Sequence, residues 1–206
     1  MNETLAPASA SASSNGSAWI LPTNRLTVFY GTSDTARLAH YFLPRVLLAG
    51  KQVLYLDGAN RFDPLLIARF ARHRGLAPAE FNRRIRVARA FTCFQLTELL
   101  LRAPKFLRAF PADVLIVTAV PDLYFDEDVR EREACTSFER ALEGLRQIAC
   151  PELAIGVFSD ALSFQTPRRK FFQKLTAHAD SVLRIEAQAD NRLTFQSVKE
   201  RPQLPS

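Results

Sequence analysis

The stretch Leu26-Thr-Val-Phe-Tyr30-Gly31-Thr-Ser-Asp-Thr-Ala-Arg-Leu38 decides how the chain is read. Its first five residues are apolar, β-branched or aromatic, the composition of a short buried strand. A glycine follows, then a helical pattern. Phosphate-binding loops occupy this place between strand and helix and read G-x-x-x-x-G-K-[ST]. Here the first glycine is kept as Gly31. The second glycine has become Ala36, the lysine Arg37, and the Mg-binding hydroxyl Leu38. The stretch keeps the position of a phosphate loop and little of its chemistry.

Outward from this loop, short apolar runs alternate with helical patterns. Strands are expected at Leu26–Tyr30, Gln52–Asp57, Ile85–Ala88, Val114–Thr118 and Leu153–Phe158. Their length and β-branched content suit buried parallel strands. Helices are expected over 63–74, 94–108 and 130–148. The last is clearest: Ala134, Phe138, Leu142, Leu145 and Ile148 recur every three or four positions. A helix is also expected after Gly31, running to Gly50, capped by Ser33 or Asp34 and kinked at Pro44. Alternating strands and helices predict a mostly parallel sheet with helices on both faces. Near the end, Ser181–Glu186 and Arg192–Val198 flank Ala189-Asp-Asn191, the pattern of a β-hairpin closing the sheet.

The chain has 206 residues, 48% of them hydrophobic, enough for one domain with a substantial core. Residues 1–17 are Ala/Ser-rich, with neither the basic start nor the apolar centre of a secretory signal, and read as a disordered tail before a single domain at 18–206. No apolar run is long enough to span a membrane. Cys93, Cys135 and Cys150 form no C-x-x-C pair, which fits reduced thiols in a cytoplasmic protein. A net charge of +6 permits contact with nucleic acid without demanding it. His40, His73 and His178 are scattered, and no metal site is expected. Ser159 and Ser163 lack the His and Asp partners of a nucleophile.

Four segments carry a resemblance. The loop is followed by Val53-Leu-Tyr-Leu-Asp57-Gly-Ala-Asn-Arg-Phe62-Asp-Pro64. Then come Arg74-Gly-Leu-Ala-Pro78 with Ile85-Arg-Val-Ala-Arg-Ala-Phe91, and finally Val198-Lys-Glu-Arg-Pro202-Gln-Leu-Pro205. In this order they resemble the ATPase core of RecA-type recombinases, most closely the archaeal and eukaryotic branch, across about residues 24–206. The family's N-terminal helical domain has no counterpart. The resemblance implies a RecA-like α/β core with degenerate nucleotide motifs. It also places a catalytic glutamate at the position of Ala59 and an Mg-linked aspartate at that of Thr118. Both side chains are absent, as is the hydroxyl at Leu38. Phosphoryl transfer depends on Mg²⁺ and positioned charge, so hydrolysis is not expected and no catalytic residue is assigned.

Binding without hydrolysis is a separate matter, because backbone N–H groups alone can hold a phosphate. Gly31, Thr32, Ser33, Thr35 and Arg37 are the residues that would line such a vestigial nucleotide loop for ATP or ADP. Ala36 and the anionic Asp34 argue against it, and no cofactor is expected. The resemblance also implies a DNA-facing loop near Pro167-Arg-Arg-Lys-Phe-Phe-Gln-Lys174, with Arg168, Arg169, Lys170 and Lys174 on phosphates and aromatics on bases. Periodicity alone reads the same segment as an amphipathic helix with Phe171, Phe172 and Leu175 inward. The other DNA-facing loop falls on Pro121–Asp128, whose Asp126, Glu127 and Asp128 oppose nucleic acid. Gln95 lies where the family has a polar residue near the nucleotide. Trp19-Ile20-Leu21 packs on its own domain or docks on another copy.

Three functions follow as expectations. The leading one is a non-catalytic paralogue or accessory in DNA recombination or repair. It would act through a recombinase or other repair protein, single-stranded DNA or self-association. The second is a nucleotide-binding ATPase with a variant loop. The third is a scaffold or signalling module using the fold alone.

Overall fold

The computed structural model describes residues 21–32, 34–148, 150–187 and 193–200. The tail at 1–17, Trp19, Ile20, Ser33, the hairpin turn at 189–191 and the exit beyond Glu200 lie outside them.

Seven strands form one sheet: β1 (Arg25–Tyr30), β2 (Val53–Asp57), β3 (Ile85–Arg89), β4 (Val114–Thr118), β5 (Ala154–Ser159), β6 (Ser181–Ala187) and β7 (Leu193–Glu200). Their order is β3-β2-β4-β5-β1-β6-β7. Every pairing from β3 across to β6 is parallel, and β7 runs antiparallel to β6 as the hairpin partner. The five strands expected from the apolar runs are all present, each within a residue or two at either end.

Alternation along each strand builds two cores. Leu54 and Leu56 of β2, Leu115 and Val117 of β4, and Ile155 and Val157 of β5 face one side. Val53, Tyr55, Val114, Ile116 and Phe158 face the other. The period of two sends neighbouring side chains to opposite faces. Both faces are covered, so β2, β4 and β5 are buried along their whole length. The first face carries α5 (Cys93–Ala109), α6 (Glu131–Ile148) and α7 (Lys170–His178). The second carries α2 (Leu43–Leu48), α3 (Pro64–His73) and α4 (Pro78–Arg83). Asp63 caps α3, its Oδ1 accepting from Leu65 N at 2.8 Å, with Pro64 in the first turn.

Helices α5 and α6 cross at Leu100 and Gly144. A Cβ on Gly144 would lie 3.1 Å from the Leu100 carbonyl carbon and 3.3 Å from its oxygen. Pro104, inside α5, has no N–H to give the carbonyl four residues back, which is that of Leu100. The absence of a side chain at 144 lets α6 close over that spot.

The segment after β1 differs from expectation. In place of one kinked helix it holds α1 (Thr35–Leu38), a 3₁₀ turn at Ala39–Tyr41, and α2. Pro44 does not kink a helix interior. It sits in the first turn of α2, where its missing N–H costs no hydrogen bond.

Candidate functional site: a closed loop at the carboxyl end of the sheet

Open parallel sheets place ligands outside the carboxyl ends of their strands. Gly31 stands there, directly after β1. Its N–H donates to Ser159 O at 3.2 Å, and its carbonyl accepts from Leu162 N at 3.1 Å. A Cβ at this position would meet Ile185 O at 2.7 Å and Thr35 Oγ1 at 2.8 Å. Glycine is therefore required by the close approach of β6, independent of any phosphate.

Two donors that a phosphate would use are already engaged. Thr35 N donates to Asp160 Oδ1 at 2.6 Å, and Thr35 Oγ1 donates back to Thr32 O at 2.9 Å. Thr35 and Ala36 are buried, while Thr32 and Asp34 are exposed. Asp34 adopts a left-handed φ of 71° and makes no side-chain cap. The expected cap by Asp34 is thus supplied by Asp160, from the segment just after β5. Ser33 lies outside the described residues. Arg37 points outward, and its guanidinium makes no hydrogen bond or ion pair among the described residues. Its carbonyl holds the Nδ1–H of buried His40 at 2.8 Å. His40 Nε2 accepts from Asp63 N at 2.9 Å, which fixes the neutral tautomer. Burial lowers the His40 imidazole below its ordinary value, with the Arg37 carbonyl acting in the opposite direction.

Asp160 is itself tied down. Its N–H donates to Asp122 Oδ2 at 2.7 Å, and Ser159 Oγ donates to Asp122 Oδ1 at 2.6 Å. Burial pushes the Asp122 carboxyl up to about 7, the hydrogen bonds from Ser159 and Asp160 oppose that rise, and the Asp160 charge adds to it. The loop after β4, the end of β5 and the start of α1 are joined through one chain of hydrogen bonds. Ser159 serves in it as a link. A phosphate brought here would have to displace the Asp160 carboxylate.

Asp57, Ala59 and Thr118 also meet, at the carboxyl ends of β2 and β4. Asp57 is fully buried and accepts from Arg61 N at 3.1 Å, Phe62 N at 2.9 Å and Thr118 Oγ1 at 3.2 Å. Arg89 Nε stands 3.6 Å away. Ala59 N donates to Thr118 Oγ1 at 3.1 Å. These groups hold the turn at 58–62 and leave no carboxylate free to polarise water. Gln95 serves the start of α5, its Oε1 accepting from Phe91 N at 2.7 Å. Among the described residues, no group of three His, Cys, Asp or Glu is placed to hold a metal ion, and no helix is long and apolar enough to cross a membrane.

The four cations of 168–174 do not share one surface. Arg168 is only 7% exposed. Its guanidinium donates to the carbonyls of Tyr124 (3.1 Å), Asp126 (2.5 Å) and Val129 (2.5 Å). Lys170 reaches Glu131 at 2.5 Å, and Lys174 pairs with Glu139. Arg169 is exposed. Phe171 and Leu175 are buried and Phe172 leans on Tyr30 at 4.9 Å, the arrangement of an amphipathic helix. Nothing in the local sequence separates Arg168 from Arg169. The three carbonyls that select Arg168 come from a loop about forty residues earlier.

No protein-family model matches the chain, and no curated protein matches it.

Proposed function

We propose that the chain is a non-catalytic RecA-like paralogue. It acts in DNA recombination or repair through partner proteins and single-stranded DNA, without turning over ATP. One observation carries the non-catalytic part of this reading: Asp160 sits on the Thr35 N–H, with Gly31 pressed against β6. An internal carboxylate takes the place that a nucleotide phosphate would need. The ordered segments of the sequence and the mostly parallel sheet with Gly31 at the end of β1 support the RecA-like part.

Thermal melting with millimolar ADP or ATP and Mg²⁺ tests the closed loop. No shift in Tm and no phosphate release are expected. A saturable rise in Tm, or turnover that disappears in Arg37→Ala, overturns it. Deletion in the source cell tests the pathway. Sensitivity to DNA-breaking agents is expected, and unchanged survival removes the repair assignment.

A further inference from the structure

A groove of about 460 Å³ opens between the starts of α5 and α6. Phe94 lines it from α5. Arg130 lines it from just before α6, and Arg132, Glu133, Thr136 and Arg140 line it from the first ten residues of α6. Three guanidiniums thus face one ring and one acid. Arg130 and Arg132 are exposed, and their side chains make no hydrogen bond or ion pair among the described residues. Arg140 is bridged to Glu98 at 3.2 Å. This sets the groove apart from α7, where Lys170 and Lys174 are each matched to a glutamate.

The backbone that carries the aromatic wall is capped. Thr92 Oγ1 accepts from Gln95 N at 3.2 Å, and Gln95 Oε1 accepts from Phe91 N at 2.7 Å. This reciprocal cap holds the backbone on both sides of Phe94. Phe94 nevertheless remains 45% exposed, and Phe91, three residues earlier, 64%. Neither belongs to a core cluster, so folding gives no account of either ring.

We propose that this groove binds single-stranded nucleic acid, with Arg130 and Arg132 on successive phosphates and Phe94 against a base. Planar guanidiniums match phosphate oxygens two at a time. A ring beside them offers a stacking face that any base can use. A duplex would keep its bases away from Phe94, and an acidic peptide would leave that face unused. Asp126, Glu127 and Asp128 precede Arg130 in the chain and limit the basic surface on that side, so the site spans only a few nucleotides. The proposal rests on the reading of the chain as a nucleic-acid-associated paralogue, but moves the contact from 168–174 to this groove.

The test uses the full chain with labelled oligothymidylate and oligouridylate of about 12 nucleotides, within the usual span of single-strand sites. Fluorescence anisotropy is read across a salt series. Binding of either strand, weakening steeply with salt, is expected. The Arg130→Ala/Arg132→Ala pair should flatten the logarithmic salt slope by about 1.4, at about 0.7 per single-strand phosphate contact. Arg130→Lys/Arg132→Lys should keep the slope. Phe94→Ala should weaken binding at least about fivefold with the slope unchanged. The proposal is overturned by no binding at low salt, or by binding untouched in these variants. Competition by polyglutamate as effective as by the oligonucleotide also overturns it. A loss confined to the lysine pair would retain the nucleic-acid reading and reject the groove. The melting and deletion tests judge the paralogue reading on their own.

Discussion

Asp160 Oδ1 lies 2.6 Å from the backbone nitrogen of Thr35, across 125 positions of sequence. The carboxylate caps α1 from outside and occupies the donor that would greet a phosphate. Through Asp122 and Ser159 the same link reaches the loop after β4. At the carboxyl edge of the sheet, the segments after β1, β4 and β5 are tied to one another by these side chains.

Removing this cap should weaken the fold. Asp160→Ala is expected to lower the unfolding free energy by about 1 kcal/mol, within the usual range for a lost helix cap. Asp160→Asn keeps an acceptor and should lose less. Urea denaturation of the three proteins gives the comparison; equal midpoints for wild type and Asp160→Ala would show that the contact contributes nothing.

Gly31→Ala should cost more than its size suggests. The new methyl would meet Ile185 O at 2.7 Å and Thr35 Oγ1 at 2.8 Å. Forcing it in is expected to cost about 1–3 kcal/mol. Thr32→Ala, on the exposed side of the loop, should stay within about 0.5 kcal/mol of wild type. A Gly31→Ala protein as stable as wild type would mean that β6 does not approach so closely.

Asp122 predicts a pH dependence. Its carboxyl is raised from 3.8 to about 7 by burial, so the folded chain holds a proton that the unfolded chain releases between those values. This group's contribution to stability therefore grows as pH falls from 7 toward 4, by at most about 1.4 kcal/mol per pH unit. His40 works in the opposite sense. Its lowered folded value means that the unfolded chain takes up a proton first, and stability is lost as pH falls below 6.5. Unfolding free energies of wild type, Asp122→Asn and His40→Gln from pH 5 to 8 should separate the two. Asp122→Asn should decline more steeply toward acid than wild type, and His40→Gln less steeply. Parallel profiles for all three would refute both assignments.

Arg168→Ala should destabilise the protein by at least about 2 kcal/mol, since a charged donor is lost and three carbonyls are left without it. Arg168→Lys should not restore this, because an ammonium cannot reproduce the fork. Arg169→Ala should stay within about 0.5 kcal/mol. Thermal melting of the three variants decides; an Arg168→Ala protein with an unchanged Tm would return that side chain to the solvent.

Much of the sheet was legible because burial on both faces demands continuous apolar runs, as in Val114–Thr118, and because helices over the first face show a clean stripe, as in α6. The candidate site was less legible for a physical reason. Its decisive contacts join distant residues whose side chains have several plausible local uses. Asp34 is a better local cap than Asp160, yet Asp34 turns left-handed and solvent-facing. Arg168 and Arg169 are equivalent in sequence, and only the carbonyls of 124–129 tell them apart. Phe94 lies on α5 and Arg130 just before α6, and no local pattern announces that they share a groove.

The contact between Gly144 and Leu100 bears on that groove from further along the same two helices. With no side chain at 144 to hold them apart, α5 and α6 pack backbone to backbone at that point, and this crossing sets the distance between the helix that carries Phe94 and the one that carries Arg132. Recognition there would resemble a template more than a closing hand. A larger residue at 144 would then act at a distance, prying the walls apart and loosening the grip of a site it never touches.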